Sequence, residues 1–161
     1  FEVLVRRHQL KALKVACRQL GDQSLARDVA QSTFVEIYRY LPKYQAQGRF
    51  TSLLFRILRN QCLMIVRKQG YADSARDELQ HMPPADPSLP DESILASERR
   101  REVERGLSKL SDKLREVLVL RFSGELSYKE ISEQLDVPVG TVKSRIAAGM
   151  EKMREVLEGG I

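Results

Sequence analysis

The residues best suited to catalysis or metal binding are few in this chain and lie far apart. Its 161 residues include two cysteines and two histidines, the side chains that most often bind zinc or form a nucleophilic pair. Cys17 and Cys62 fall within helical patterns, where a cysteine usually behaves as a small buried hydrophobe. His8 and His81 share no local motif with them. We therefore expect no catalytic residue, no metal site and no cofactor, and the sequence gives no basis for an enzyme.

The segment from Ser127 to Leu157 has the pattern of two helices joined by a tight turn. Ser127 and Glu130 have the spacing of a capping box, in which each side chain bonds the backbone N–H of the other. Pro138 prevents the first helix from continuing, and Gly140 is expected to give the turn its backbone freedom. The second helix has a predicted buried face of Val142, Ile146, Met150, Met153 and Leu157.

The outer face of this second helix carries Lys143 and Ser144 close to its start. Cations and small polar groups at that position match the base edges and phosphates of a DNA major groove. The pattern therefore predicts a DNA-reading helix-turn-helix. The alternative is an ordinary helical hairpin with a solvated charged face.

Positive charge is concentrated in the amino-terminal part of the chain. Residues 1–70 hold 13 Lys and Arg against 4 Asp and Glu, residues 71–98 hold 1 against 7, and residues 99–161 hold 13 against 11. A basic segment indicates a polyanionic partner, and nucleic acid is the simplest one. The chain has neither a long apolar run nor the profile of a signal peptide. We expect a cytoplasmic protein that does not insert into a membrane.

Helical periodicity on both sides of residues 71–98 predicts an all-α fold of two small helical domains, 1–70 and 99–161. Three helices are expected before residue 70, ending near Gly21, Pro42 and Lys68, and the first is expected to bury Leu10, Leu13, Cys17 and Leu20. Residues 99–161 are expected to form a four-helix unit. Residues 71–98, with four of the six prolines, are predicted to be a flexible linker. Its acidic residues either keep it solvated or mimic DNA and restrain a basic domain.

The third predicted helix has two different faces. Leu54, Leu58 and Gln61 fall on a side suited to a core, whereas three arginines and Asn60 recur at three-to-four spacing on another side. No acidic residue occurs from Gly48 to Gln69, so helical spacing places no carboxylate of this stretch beside the cations. Contact with nucleic acid is the favoured interpretation of this face, and a solvated surface is the alternative.

Two blocks of sequence carry a family resemblance. Arg27–Phe34 and Arg49–Asn60 together resemble region 2 of bacterial sigma factors, and Leu107–Leu157 resembles region 4. With only these two regions and a short linker, the chain is similar to an extracytoplasmic-function sigma factor of the sigma-70 superfamily. The resemblance implies a subunit that directs core RNA polymerase to promoter DNA, regulated by an anti-sigma factor. Region 2 would be a three-helix bundle, and region 4 would hold the helix-turn-helix.

The resemblance also assigns residues to three contacts. The second helix of region 2 would dock on the clamp helices of the polymerase through Asp28, Gln31, Ser32, Phe34, Glu36 and Arg39. Single-stranded DNA of the minus-ten element would be held by Tyr44, Gln45, Gln47, Arg49, Phe50, Arg56, Arg59, Asn60 and Arg67. The minus-thirty-five element would be read by Tyr128, Lys129, Thr141, Lys143, Ser144 and Arg145, and region 4 would also contact the polymerase flap.

The chain departs from the family pattern at several positions. Ser32 stands where family members typically carry an acidic residue, and Leu54 stands where many carry Trp. Relatives also usually carry cations at the positions of Ala148 and Gly149. These departures predict a weaker polymerase contact, limited promoter melting and a reduced grip on phosphates.

Two other functions would fit parts of the sequence. A stand-alone helix-turn-helix repressor or activator would bind duplex DNA without polymerase, but it would leave the cationic third helix without a role. A helical adaptor that binds only protein would need an apolar stripe beyond the predicted cores, and the sequence offers no convincing one.

Overall fold

The computed structural model describes residues 1–45, 48–73 and 94–159, and these are helical with no strand among them. The helices are α1 (Glu2–Leu20), α2 (Gln23–Tyr40), α3 (Phe50–Asp73), α4 (Ile94–Ser108), α5 (Asp112–Leu118), α6 (Tyr128–Leu135) and α7 (Val139–Glu158). A 3-10 turn, Leu41–Lys43, follows α2, and a π-helical turn, Val119–Ser123, follows α5. The chain divides into two compact units, Phe1–Met82 and Pro83–Ile161. The all-α, two-domain prediction is confirmed, while most of the predicted linker lies outside the described residues.

The first unit is a three-helix bundle in which each helix packs on the other two. Its core is built mainly from Val29 and Ile37 of α2 and from Leu54, Phe55 and Leu58 of α3. The helix ends follow the sequence signals. Asp22 caps α2 by accepting a hydrogen bond of 2.9 Å from the Leu25 N–H, and Gly21 ends α1 in the left-handed conformation. The end of α1 at Gly21 and the cap of α2 at Asp22 therefore fix the tight turn between the two helices.

The buried face of α1 differs from the predicted one. Leu10 is 57% exposed, so its assignment to the core was wrong, whereas Cys17 is buried as predicted. The most deeply buried positions are Ala12, Val15 and Ala16. Ala12 and Ala16 are small side chains, which permit close approach of the neighbouring helices, and Leu10 lies outside that interface.

The second unit holds α4 to α7 around Leu120, Leu126, Ile131 and Val142. The predicted capping box is confirmed: the Ser127 side chain accepts from the Glu130 N–H, and the Glu130 carboxylate accepts from the Ser127 N–H at 2.7 Å. The turn that follows α6 does not use glycine as predicted. Asp136 takes the left-handed conformation, with φ of 52°, and residue 140 already lies within α7.

The buried face of α7 also departs from the predicted one. Val142 and Ile146 are buried as expected, but Met150 is 48% exposed and Gly149 is buried in its place. A Cβ on Gly149 would lie 3.0 Å from the side chain of Leu118, so the missing side chain lets α7 pack closely on α5. Leu157, also predicted to be buried, is 43% exposed.

No helix among the described residues is long and apolar enough to span a bilayer.

Candidate nucleic-acid interface

The outward face of α2 presents most of the residues predicted to dock on polymerase. Their side chains are exposed and lie on successive turns; they are Asp28, Gln31, Ser32, Glu36 and Arg39. Phe34 differs, because it is only 7% exposed and packs within the bundle. Its prediction as a surface contact is corrected accordingly: the ring is largely buried and is accessible only where it lines the apolar groove against α1. The helix therefore offers a polar surface with charges of both signs.

Two hydrogen bonds connect this polar face to α3. The Ser32 hydroxyl donates to the side-chain oxygen of Gln61, and the Gln61 amide nitrogen donates to the Glu36 carboxylate at 2.7 Å. The sequence pattern placed Gln61 on the core side of α3. In the structure it is half-buried at the boundary between the two helices. Its bonding to residues 25 and 29 positions earlier in the chain has no local sequence signal.

An apolar groove of about 540 Å³ runs along the other edge of α2, against α1. At one end the rings of Phe1 and Tyr38 lie 5.3 Å apart. Leu10, which does not reach the core, lines this groove together with Val35. The polar face and the apolar groove therefore lie side by side on the same helix.

The two aromatic residues predicted to stack on single-stranded DNA are Tyr44, in the segment between α2 and α3, and Phe50, the first residue of α3. Tyr44 is half-buried with its ring 6.4 Å from that of Tyr40, and the Phe50 ring lies 5.1 Å from the His8 ring. Burial, followed by the charges of Lys11 and Arg7, holds the pKa of His8 below its ordinary 6.5. Gln45 and Arg49 are exposed, and Gln47 lies outside the described residues.

A second groove, of about 420 Å³, lies between α2 and α3 and brings together residues from two predicted sets. It is lined by Glu36, Arg39, Tyr40, Lys43, Leu53, Arg56, Ile57 and Asn60. Three cations, one carboxylate, an amide and a tyrosine thus face one concave surface. Such a surface can hold phosphates while presenting hydrogen-bonding groups to a base. Arg59 and Arg67, predicted for the same role, lie on α3 outside this lining.

The second unit organises its candidate DNA residues around Tyr128. The Arg121 guanidinium lies 4.5 Å from the centre of the Tyr128 ring, and the Lys143 ammonium lies 5.8 Å from it. Arg121 is held in turn by a hydrogen bond of 2.9 Å to the Leu126 carbonyl. Sequence reasoning missed Arg121, because it belongs to the π-helical turn that precedes the helix-turn-helix.

The remaining predicted residues lie along the start of α6 and α7. Lys129, Lys143 and Ser144 are exposed, while Thr141 and Arg145 are half-buried. The Ser144 hydroxyl donates to the Thr141 carbonyl at 3.0 Å, which leaves its oxygen lone pairs to accept from a ligand. Gly149 cannot serve as a phosphate position in this fold, because it faces α5. The described ranges contain no group of three or more His, Cys, Asp or Glu side chains arranged to hold a metal ion.

Comparison with known proteins matches both halves of the chain. The family model for sigma-70 region 2 matches residues 4–71, and the model for sigma-70 region 4 matches residues 100–153. The chain is 32% identical to the ECF RNA polymerase sigma factor SigW of Bacillus subtilis, over 98% of this chain and 88% of that protein.

Two solved structures are similar to this chain over nearly its whole length. The sigma factor RpoE of Bartonella quintana, crystallised in complex with the anti-sigma factor NepR, has a TM-score of 0.80 and 22% identity, with 98% of each chain covered. CnrH, in complex with the cytosolic domain of CnrY, has a TM-score of 0.71 and 26% identity, with 99% of this chain and 88% of that chain covered. The first of these similarities bears on the fold alone.

Proposed function

This chain belongs to the extracytoplasmic-function sigma factors of the sigma-70 family, and we propose how its surfaces divide the work of promoter recognition. The protein binds core RNA polymerase and directs promoter-specific transcription initiation. The observation that carries this function is the presence of both sigma regions, in family order, within a single chain. The protein acts as a specificity subunit and leaves the chemistry of RNA synthesis to the polymerase.

The polar face of α2 is the proposed docking surface for the polymerase clamp helices. It is exposed, it carries both signs of charge, and its side chains are not needed for the core of the bundle. Rim charges of this kind give orientation and specificity to a protein interface. Region 4 makes a second contact, with the polymerase flap.

The groove between α2 and α3 is the proposed site for the melted minus-ten strand. Arg39, Lys43 and Arg56 supply positive charge for phosphates, and Asn60 supplies donors and an acceptor for a base edge. Tyr44, whose segment leads from this groove toward α3, supplies a ring for stacking. Extracting a base from the duplex costs a few kcal/mol, which stacking and edge hydrogen bonds must return.

The start of α7 is the proposed reader of the minus-thirty-five element. Lys143 and Ser144 are exposed on its first turns, and Arg145 is close enough in sequence to share that surface. Tyr128 and Lys129, at the start of α6, would lie near the DNA backbone. A bidentate cation–guanine contact contributes about 1–3 kcal/mol of discrimination, whereas a phosphate contact strengthens binding to every sequence.

An anti-sigma factor is the proposed regulator. CnrH, which resembles this chain over nearly its whole length, is solved with the cytosolic domain of CnrY. The site of action is the cytoplasm, where polymerase and promoter meet.

Transcription in vitro with purified core polymerase tests the function. Added sigma factor should produce transcripts from a subset of a promoter library, and footprints should cover both promoter elements. A stand-alone repressor or activator would instead bind duplex DNA strongly by itself, with no gain when core polymerase is added. That result would refute the proposal.

The docking assignment has its own test. Asp28→Ala combined with Gln31→Ala should weaken core binding roughly tenfold, because two exposed polar contacts are removed. Thermal unfolding of the protein should not change, since neither side chain is buried. Gln69→Ala, at the exposed far end of α3, is the matched control. Unchanged core affinity in the double variant would contradict the assignment.

A further inference from the structure

Gln61 connects two helices through side chains that are otherwise exposed. Its amide nitrogen donates to the Glu36 carboxylate, and its amide oxygen accepts from the Ser32 hydroxyl. Ser32 and Glu36 lie one turn apart on α2, so a single side chain from α3 holds both. Gln61 is itself half-buried, which limits the conformations that its side chain can take.

The chemistry of the partners fixes the orientation of this amide. An ionised carboxylate can only accept hydrogen bonds, so the Gln61 nitrogen must face Glu36 and its oxygen must face Ser32. The hydroxyl of Ser32 has one proton to donate. Two acceptors lie within its reach, the Val29 carbonyl at 3.2 Å and the Gln61 oxygen, and the shorter contact is the one to Gln61. The three side chains therefore form a directed chain from Ser32 through Gln61 to Glu36.

An exposed glutamate normally samples many rotamers and loses that freedom when a partner binds it. The cost of immobilising such a side chain at an interface corresponds to about a two- to tenfold loss of affinity. Because Gln61 already restrains the Glu36 carboxylate, part of that cost is met before the partner arrives.

We propose that Gln61 is a positioning residue, which orients the Glu36 carboxylate on the docking face of α2 for contact with core polymerase. This inference rests on the proposed function, since it concerns the same surface. Gln61 does not itself need to touch the polymerase. It acts from α3, one residue after Asn60, and so ties the docking helix to the helix proposed to hold the minus-ten strand.

Gln61→Met is the informative substitution, because methionine keeps the length and packing of the side chain but cannot form either hydrogen bond. Gln69→Met, on the same helix and exposed, is the control. Affinity for core polymerase is measured for the wild type, Gln61→Met, Glu36→Ala and the double variant. The same four proteins are unfolded in urea without polymerase, which measures the coupling of residues 61 and 36 in the free protein.

The expected result is a loss of core affinity of about two- to tenfold for Gln61→Met, no change for the control, and no further loss when Gln61→Met is added to Glu36→Ala. Wild-type affinity in Gln61→Met would overturn the inference, as would losses that simply add in the double variant. With either outcome the proposed function still holds, provided that the wild-type protein binds core polymerase. A wild type that fails to bind core polymerase would overturn both proposals. Absence of coupling in urea would refute the positioning role independently of polymerase.

Discussion

Replacing Tyr128 tests whether an aromatic ring organises the DNA-reading surface of the second unit. The ring lies between two cations, with Arg121 at 4.5 Å and Lys143 at 5.8 Å from its centre. Attraction between a cation and a ring extends to about 6 Å, so Arg121 lies well within that range and Lys143 lies near its limit. Tyr128→Leu removes both interactions but keeps an apolar side chain on α6. Tyr128→Phe keeps the ring and removes only the hydroxyl.

The size of the effect follows from these distances. An exposed cation–ring pair contributes about 0.5–1 kcal/mol, and the Lys143 pair should contribute less than the Arg121 pair because of its length. Arg121 retains its hydrogen bond to the Leu126 carbonyl in either variant. Tyr128→Leu should therefore lower the free energy of unfolding of the second unit by about 1 kcal/mol. For a domain of this size, that loss shifts Tm by roughly 4–8 °C.

Tyr128→Leu should also weaken promoter binding, because it removes the ring that restrains Lys143. Without the ring, its side chain must be ordered when DNA binds, which costs about 0.5–1.5 kcal/mol or roughly two- to tenfold in affinity. The assay is binding of the variant holoenzyme to a cognate promoter, compared with the same promoter carrying a scrambled minus-thirty-five element. The variant should lose affinity for the cognate promoter and should bind the promoter with the scrambled element as well as the wild type does. Equal losses on both, or a Phe variant as weak as the Leu variant, would refute this role of the ring.

Three further predictions concern two neighbouring positions on α7 and one histidine on α1. Ala148→Arg should tighten promoter binding by the holoenzyme and steepen its dependence on salt by about 0.9 in log–log slope, because residue 148 is exposed one turn after Ser144, on the face proposed to meet DNA. Gly149→Arg should instead lower Tm without a salt effect, since its side chain would meet Leu118; a steeper salt dependence would contradict the buried position. The pKa of His8 lies below 6.5, so the unfolded chain takes up protons more readily and the first unit should lose stability as pH falls from about 6.5 through the folded-state pKa. Urea unfolding should show this loss in the wild type and a smaller one in His8→Gln, and identical pH profiles would contradict it.

Local signals in the sequence were enough to predict the helices and most of their ends. The Ser127–Glu130 pair caps α6 as predicted, and Asp22 caps α2 in the same local way, because a cap is decided by residues three positions apart. The buried face was less predictable for α1 and α7. Both helices carry more apolar residues than their interfaces can bury, and the buried positions include small residues such as Ala12 and Gly149. Close approach between helices determines which face is buried, and the sequence of one helix does not show how its neighbour packs on it.

The candidate sites were predicted as two separate sets of residues, and the structure relates them in a way that spacing could not. Glu36 was assigned to the polymerase contact and Asn60 to the minus-ten strand, yet both line the groove between α2 and α3. Gln61 and Arg121 escaped prediction for the same reason, since their partners depend on the packing of one element on another.

This shared groove has a physical consequence for the proposed mechanism. A carboxylate that faces both a protein partner and a cationic groove affects both, because moving it changes the potential felt by a phosphate nearby. If polymerase binds Glu36 on the docking side, less of its negative charge opposes the melted strand. The strand should then bind more tightly to holoenzyme than to free sigma factor, even where the polymerase itself does not touch the DNA. Glu36→Gln should reduce that difference, since it removes the charge while keeping the shape of the side chain. A difference of the wild-type size in Glu36→Gln would show that docking and strand binding are electrostatically independent.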